Sequence, residues 1–270
     1  MYSKLFLALF ALFFTLTLVS AVDLNADIAY VVKDISGIDS QLQSELGNLG
    51  YSHEVIYESQ VLATDFSKYR LILIGDQKLN TPALIPINEH KTLILTSKGY
   101  EELGISGSSG IKSSPTALEK TSVLSSITDL VPKFFNSYTS SSPTISTSYL
   151  KGNKPDNIKI IVSARYRPAD AVLATLDAGQ VLLDNRVLQQ RILYLGIVDT
   201  NFWTQESRTL FENSINWLVN GEDLDQDTYF SDLDCNDLDP TIHPGAVDIA
   251  YDGIDQDCSG TDFADLDLDG

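Results

Sequence analysis

The chain has 270 residues, 43% of them apolar, and a formal net charge of -19, enough for one medium domain plus a small module. Sixteen of its 37 acidic residues fall in 221–270, where no Lys or Arg occurs. That balance argues against nucleic acid or an anionic membrane as a partner, because both are polyanions, and for cations instead.

Lys4 opens the chain with a short basic region, and residues 5–19 follow as an almost unbroken apolar run (LFLALFALFFTLTLV). Small residues at Ser20 and Ala21 suit a signal peptidase, so 1–21 reads as a secretory signal peptide cut after Ala21. The alternative is an uncleaved anchor, the one route by which a membrane becomes a partner. The run is shorter than the roughly 18 residues a spanning helix needs. Either way the remainder leaves the cytoplasm, so the protein is expected to be secreted or on the cell surface.

Residues 22–220 alternate in type. The runs at 28–32 (IAYVV), 54–57, 71–74 (LILI) and 92–96 (TLILT) predict strands, three of them continuous apolar runs of the kind parallel strands show when both faces are covered. Between the first two, Leu42, Leu46 and Leu49 recur at helical spacing over 39–49, and Gly50 stops the helix. Ser-rich stretches at 106–114 and 137–148 read as loops or edge insertions rather than core. Residues 118–135 between them have helical or mixed character. A strand at 158–163 precedes an antiparallel group at 171–176, 180–183 and 191–195, with Asp177-Ala178-Gly179 as a turn. Residues 205–218 form an amphipathic helix with Thr204 as N-cap, ended by Asn220-Gly221. The expected fold class is α/β, an open, mostly parallel sheet with right-handed crossovers.

The opening IAYVVKD, the segment YRLILIGD and the closing ILYLGIVDTNFWTQESRTLFENSINWLVNG resemble the class I glutamine-amidotransferase-like fold in a secreted, non-catalytic branch. The resemblance implies a nucleophilic Cys on a sharp turn after a central strand. Here the strand at 93–95 runs into Thr96-Ser97-Lys98-Gly99, and the only cysteines of the chain are Cys235 and Cys258. Amidotransferase chemistry needs a thiolate, so that activity is excluded. Ser97 has only half of a glycine-flanked elbow, since position 95 is Leu. His53 and His90 are expected at the surface, and no catalytic residue is assigned. Lys33, Asp34, Asp76 and Asp199 fall at strand ends, where open α/β sheets bind ligands, although ordinary strand-end loop chemistry is the favoured reading of them.

From residue 222 on, Asp alternates with other residues. Calcium takes six to eight oxygens from flexible loops, and Asp at positions 1, 3 and 5 of a loop can converge on one ion. Asp223, Asp225 and Asp227 make the first series, with the Tyr229 carbonyl at position 7 and Asp234 at position 12. Thr228 stands at position 6, where such a loop wants Gly. Asp255, Asp257 and Ser259 make the second, with Gly260 at position 6; Asp252, Thr261 and Asp262 complete its candidate ligands. Asp265, Asp267 and Asp269 begin a third, and the 42-residue offset between DLDQD and DLDLD reads as the start of a second copy of the unit, so the sequence is expected to be a fragment, the alternative being an end inside a degenerate repeat. Two cysteines in a secreted chain predict a disulfide between Cys235 and Cys258.

The stretch DCNDLDPTIHPGAVDIAYDGIDQDCSG (234–260) is similar to the MopE-type metal-binding repeat of surface proteins. Asp248 stands where that family often has Glu, and Ala250 where some members carry a further Cys. The resemblance implies an Asp-rich metal-binding unit over 221–270. Calcium is the expected ion, with other cell-surface proteins or glycans as possible further partners. A structural, adhesive or ligand-binding role is expected, the alternative being a secreted hydrolase that calcium stabilises.

Overall fold

The computed structural model describes residues 26–262 apart from 97, 99, 100, 114–116, 124, 141–144 and 232. The apolar run at 5–19, Ser97 and the third Asp series (Asp265, Asp267, Asp269) lie outside the described residues. No helix among the described residues is long and apolar enough to cross a membrane.

Strand β1 (Ile28–Val32) is buried at every position, as its unbroken apolar sequence requires of a strand covered on both faces. It pairs in parallel with β2 (His53–Tyr57) and β3 (Leu71–Ile74). Strand β4 (Thr92–Ile94) extends the parallel array beside β3, and β11 (Ile192–Leu195) lies parallel to β4 on its far side. The alternation of side chains across these strands defines two cores. Tyr30, Leu73, Leu93 and Leu193 face the two helices, while Val31, Ile72, Ile94 and Tyr194 face away from them.

Helix α1 (Ser40–Asn48) buries Leu42 and Leu46, one turn apart. Asp39 caps it, its carboxylate accepting from the backbone N–H groups of Gln41 and Leu42 at 2.9 and 3.0 Å. Helix α2 (Gln205–Asn220) packs on the same face through Leu210, Phe211, Ile215 and Leu218. Thr204 caps it as expected, accepting from Ser207 N–H at 3.2 Å. Gly221 ends it with φ +112°, a value that disfavours any side chain. The other face is covered by short 3-10 turns at Glu58–Ala63, Phe66–Lys68 and Pro82–Leu84, which insert Val61, Phe66 and Ile85. Pro82 opens the last of these turns, where its fixed φ suits the first helical position, and Pro86 bars its extension.

Beyond β11 the sheet turns antiparallel. Strand β10 (Arg167–Leu176) pairs with β11 and with β9 (Lys159–Ala164). Then come β6 (Ala117–Lys120) and β7 (Phe134–Asn136), while β8 (Ser146–Lys151) and the edge strand β5 (Ser108–Ser113) branch from β10. The 11-stranded sheet thus joins the expected parallel array to an antiparallel half.

Three local expectations change. The described residues of 118–135 form no α-helix: Leu118 and Phe135 are cross-strand partners in β6 and β7, with a 3-10 turn at Ser126–Thr128 between the strands. Residues 180–183 form no strand: Val181 makes only an isolated bridge to Val187, and β10 pairs instead with β11. The Ser-rich stretch at 137–148 is partly core. Ser137, Thr147 and Ser148 are fully buried, which is tolerable because their hydroxyls find partners, Ser137 Oγ lying 2.9 Å from Thr147 Oγ1.

Candidate metal centre

Where α2 stops, the Asp-rich module begins. Its described residues form turns rather than helices or strands, and Ile242 is the one buried hydrophobe among them, still 8% exposed. Such a segment needs a staple. The Cys235–Cys258 disulfide supplies one, with Cα atoms 5.7 Å apart. In the loop-entropy model a closure of this length stabilises by about 3 kcal/mol.

The carboxylates of the first series share one geometry. One oxygen of each anchors a turn of the module itself. Asp225 accepts from Asp227 N–H at 3.3 Å, Asp227 from Tyr229 N–H at 2.7 Å, and Asp234 from Asn236 N–H at 2.8 Å. The second oxygen is buried without a hydrogen-bond partner in Asp225, Asp227 and Asp234 alike, and so is Oδ1 of Asp223. Asp234 as a whole is only 8% exposed. Leaving such a group unpaired costs about 1–3 kcal/mol, more when it is charged, so four together call for a positive partner.

Their convergence fits a cation. Asp225, Asp227 and Asp234 bring ligand oxygens within 4.8 Å of one another, and so do Asp223, Asp225 and Asp237. Two oxygens on opposite sides of a calcium ion lie about 4.8 Å apart, twice a bond of about 2.4 Å. Asp237, whose Oδ1 accepts from Leu224 N–H at 3.1 Å, was missed in the sequence because it falls outside the alternating series. The turn itself is tight. Gln226 and Thr228 both have positive φ, +65° and +81°, so Thr228 takes the backbone conformation that Gly would adopt without strain. Tyr229 stacks its ring on His243, centroids 4.5 Å apart, which gives that histidine a packing role.

Burial pushes the Asp223 carboxyl up, against the backbone N–H of Gln226 and with the neighbouring Asp227 and Asp225 adding to the rise. Burial likewise raises Asp237, with Asp234, Asp225 and Glu222 contributing. Crowded carboxylates resist ionising together, and a cation would relieve both groups.

The second series is arranged differently. Asp248, Asp255 and Asp257 come within 4.8 Å. Asp255 also accepts from Ser259 N–H at 3.0 Å and Gly260 N–H at 2.7 Å. Hydrogen bonds from Ser259 hold the Asp257 carboxyl below its usual range. Asp252 is not in this group; its oxygens accept from Ile254 N–H and Gln256 Nε2. Ser259 Oγ donates to the Thr261 carbonyl at 3.2 Å. Asp262 accepts from Gly253 N–H at 2.7 Å through Oδ2, and its Oδ1 is buried without a partner. Asp248, not counted as a ligand from the sequence, carried a legible signal: it stands where the resembling repeat has another carboxylate. Asp234 also lies beside both cysteines, but sulfurs joined in a disulfide offer no thiolate.

In the α/β domain, Asp39, Asp76 and Asp199 line a cavity of about 330 Å³ together with Tyr30, Gln77 and Thr200. It opens at the carboxyl ends of β1, β3, β4 and β11. Two of the four strand-end residues singled out in the sequence, Asp76 and Asp199, thus share a crevice. Lys33 and Asp34 instead line a separate hollow with Glu58 and Asn80. Neither histidine of the domain lines the crevice. His53 lies 3.1 Å from Gln43 Nε2, and His90 precedes β4 at its opposite end, beside Phe66.

Residues 234–262 match the family model Cu-binding MopE, described as "Putative metal-binding motif". No curated protein matches the chain. Among solved structures the chain is similar to a ThuA-like protein from Parabacteroides merdae, with 13% identity over 72% of this chain and 89% of that one and a TM-score of 0.49. It is also similar to a ThuA-like protein from Bacteroides uniformis, with 13% identity, 72% and 91% coverage and a TM-score of 0.46. A glutamine amidotransferase from Thermotoga maritima matches with 7% identity, 72% and 98% coverage and a TM-score of 0.44.

Proposed function

We propose that this is a calcium-binding protein of the secreted or cell-surface compartment, in which cations and one disulfide rigidify an Asp-rich module beside a non-catalytic α/β domain. The observation that carries this reading is that Asp223, Asp225, Asp227 and Asp234 each bury a carboxylate oxygen with no hydrogen-bond partner, within two triads, Asp225–Asp227–Asp234 and Asp223–Asp225–Asp237, whose ligand oxygens come within 4.8 Å of one another. Their chemistry selects among metals. The donors are carboxylates, the set preferred by calcium, magnesium and manganese, whereas copper and zinc favour imidazole or thiolate. Irregular loops suit the variable coordination of calcium better than the strict octahedron of magnesium. An oxidised cysteine pair and the N-terminal apolar run agree with export. The α/β domain then serves display or ligand binding, with cell-surface proteins or glycans as candidate partners.

The test is calorimetric titration of the chelator-stripped full chain with calcium, followed by circular dichroism. Saturable binding at about 10⁻⁴–10⁻³ M, the range of extracellular modules, with gain of order is expected. Copper or zinc binding in preference to calcium would replace the assignment of the ion. The absence of saturable binding by any of the three would sink the reading.

A further inference from the structure

We infer that the cation centre at 223–237 is also the joint between the module and the α/β domain, so that its ion docks the module on helix α2. This rests on the cation-binding reading above and adds a role for Glu222, a residue outside every ligand set.

Glu222 works in two directions. Its backbone closes the loop that holds the first Asp series: its N–H donates to Ser231 Oγ at 2.9 Å, and its carbonyl accepts from Ser231 N–H at 2.7 Å. Its side chain points into the domain. The carboxylate accepts from Ser126 N–H at 2.9 Å, Ser126 Oγ at 2.7 Å, Ser125 Oγ at 3.1 Å and the indole N–H of Trp217 at 2.8 Å. Trp217 is 3% exposed and belongs to the helix-side core. One residue therefore transmits the position of the cation loop directly to the core of the domain.

The surrounding charges make that contact dependent on an ion. Asp223, the next residue, faces a hollow of about 170 Å³ that it shares with Asp129, Asn213 and Trp217. Asp225 and Asp227 stand immediately behind it. With no cation, the carboxylates of Glu222, Asp223, Asp225, Asp227 and Asp129 crowd one small region, and their repulsion pushes the module off the domain. A divalent ion bound by Asp223, Asp225, Asp227, Asp234 and Asp237 removes most of that repulsion. Binding and docking are then coupled, and coupling is reciprocal: docking must tighten the ion as much as the ion tightens docking.

The experiment uses the full chain carrying Asp255→Asn, which weakens the second group and leaves the first to be read. Calcium binding is followed by calorimetry. Docking is followed by hydrogen exchange at the Ser126 amide and the Trp217 indole N–H, assigned by nuclear magnetic resonance. Chelation is expected to speed both exchanges by about tenfold, within the usual range of coupling factors. Glu222→Ala is expected to weaken calcium by a similar factor. Saturable calcium binding with unchanged exchange at both sites would overturn the joint and leave the cation reading intact. No calcium binding at this centre would remove both. Should Glu222→Ala fail to fold, the exchange measured with and without chelator on the chain that retains Glu222 decides alone.

Discussion

Substituting Asp234 by Asn separates a metal ligand from an ordinary turn former. Asn keeps the size of the side chain and can still accept from Asn236 N–H through its carbonyl oxygen, as Asp234 Oδ1 does at 2.8 Å. It replaces the buried, unpartnered Oδ2 with an amide donor in the company of Asp225 and Asp227, the two carboxylates grouped with Asp234. In chelator the variant should therefore be the more stable protein, by about 1 kcal/mol, the lower end of the penalty for an unpaired buried group. In calcium at about one hundred times Kd, the ion adds about 2.7 kcal/mol to the parent. The variant loses most of that term with its ligand, so the order reverses and it falls behind by about 1–2 kcal/mol. The assay is urea unfolding read by hydrogen exchange over residues 222–262, in chelator and in calcium. A variant destabilised equally in both conditions would refute the reasoning and reduce Asp234 to a residue that shapes a turn.

Asp237→Asn should lower calcium affinity at the first centre by about tenfold, since affinity in such loops is tuned by the number of charged ligands; calorimetry on the full chain reads it, and unchanged affinity would remove Asp237 from the site. Replacing Cys235 and Cys258 together by Ser should destabilise the module by about 3 kcal/mol in the loop-entropy model, with calcium recovering part of the loss by binding only the folded form; equal stability of the oxidised and Ser forms in chelator would contradict this. In the crevice, burial raises the Asp199 carboxyl, against the backbone N–H of Ser146 and with Asp76 and Asp39 adding to the rise. A raised folded-state value means the favourable contribution is full below the unfolded carboxylate value and is lost as pH rises through the folded one. Asp199→Asn should therefore stabilise the domain at neutral pH, with the gain vanishing on acidification. Thermal unfolding from pH 3 to 7 checks the trend, and a gain independent of pH would contradict it.

The parallel half of the sheet was legible because its signals are local. Strands β1, β3 and β4 are continuous apolar runs, and the caps at Asp39 and Thr204 are single residues with one geometric meaning. The antiparallel half was not. Leu118 and Phe135 lie 17 positions apart and meet only through strand pairing, which no window of helical or strand period contains. The buried hydroxyls of Ser137 and Thr147 satisfy each other across ten positions, so composition alone placed them in loops. The module divides in the same way. Alternation exposed Asp223, Asp225 and Asp227, and position 12 exposed Asp234. Asp237 and Asp248 enter their groups because the disulfide and the turns fold the chain back, a relation that spacing within one loop does not contain.

The crevice and the carboxylate centre lie at opposite ends of the sheet, and α2 measures the separation. Its N-terminal side adjoins the crevice, where Thr200 Oγ1 donates to Asp39 at 2.7 Å. Its last turn lies at the other edge, where Lys91, just before β4, donates to the Val219 carbonyl at 2.7 Å, and Arg191, just before β11, donates to the Trp217 carbonyl at 3.2 Å. Lys91 thus meets a carbonyl that the helix end leaves open, Arg191 adds a second donor to one that already accepts from Gly221 N–H at 3.0 Å, and both cations oppose the negative pole of the helix. The helix runs for 16 residues, about 24 Å at 1.5 Å per residue, and Asp223 follows it after only Gly221 and Glu222. An ion at 223–237 therefore stands about a helix length from anything bound beside Asp39, Asp76 and Asp199, well beyond a Debye length of about 8 Å at physiological salt. It cannot polarise a ligand there or activate a water for it. On the proposed reading the ion's part is to fix the module against the end of α2, the work of a structural cation, apart from the crevice.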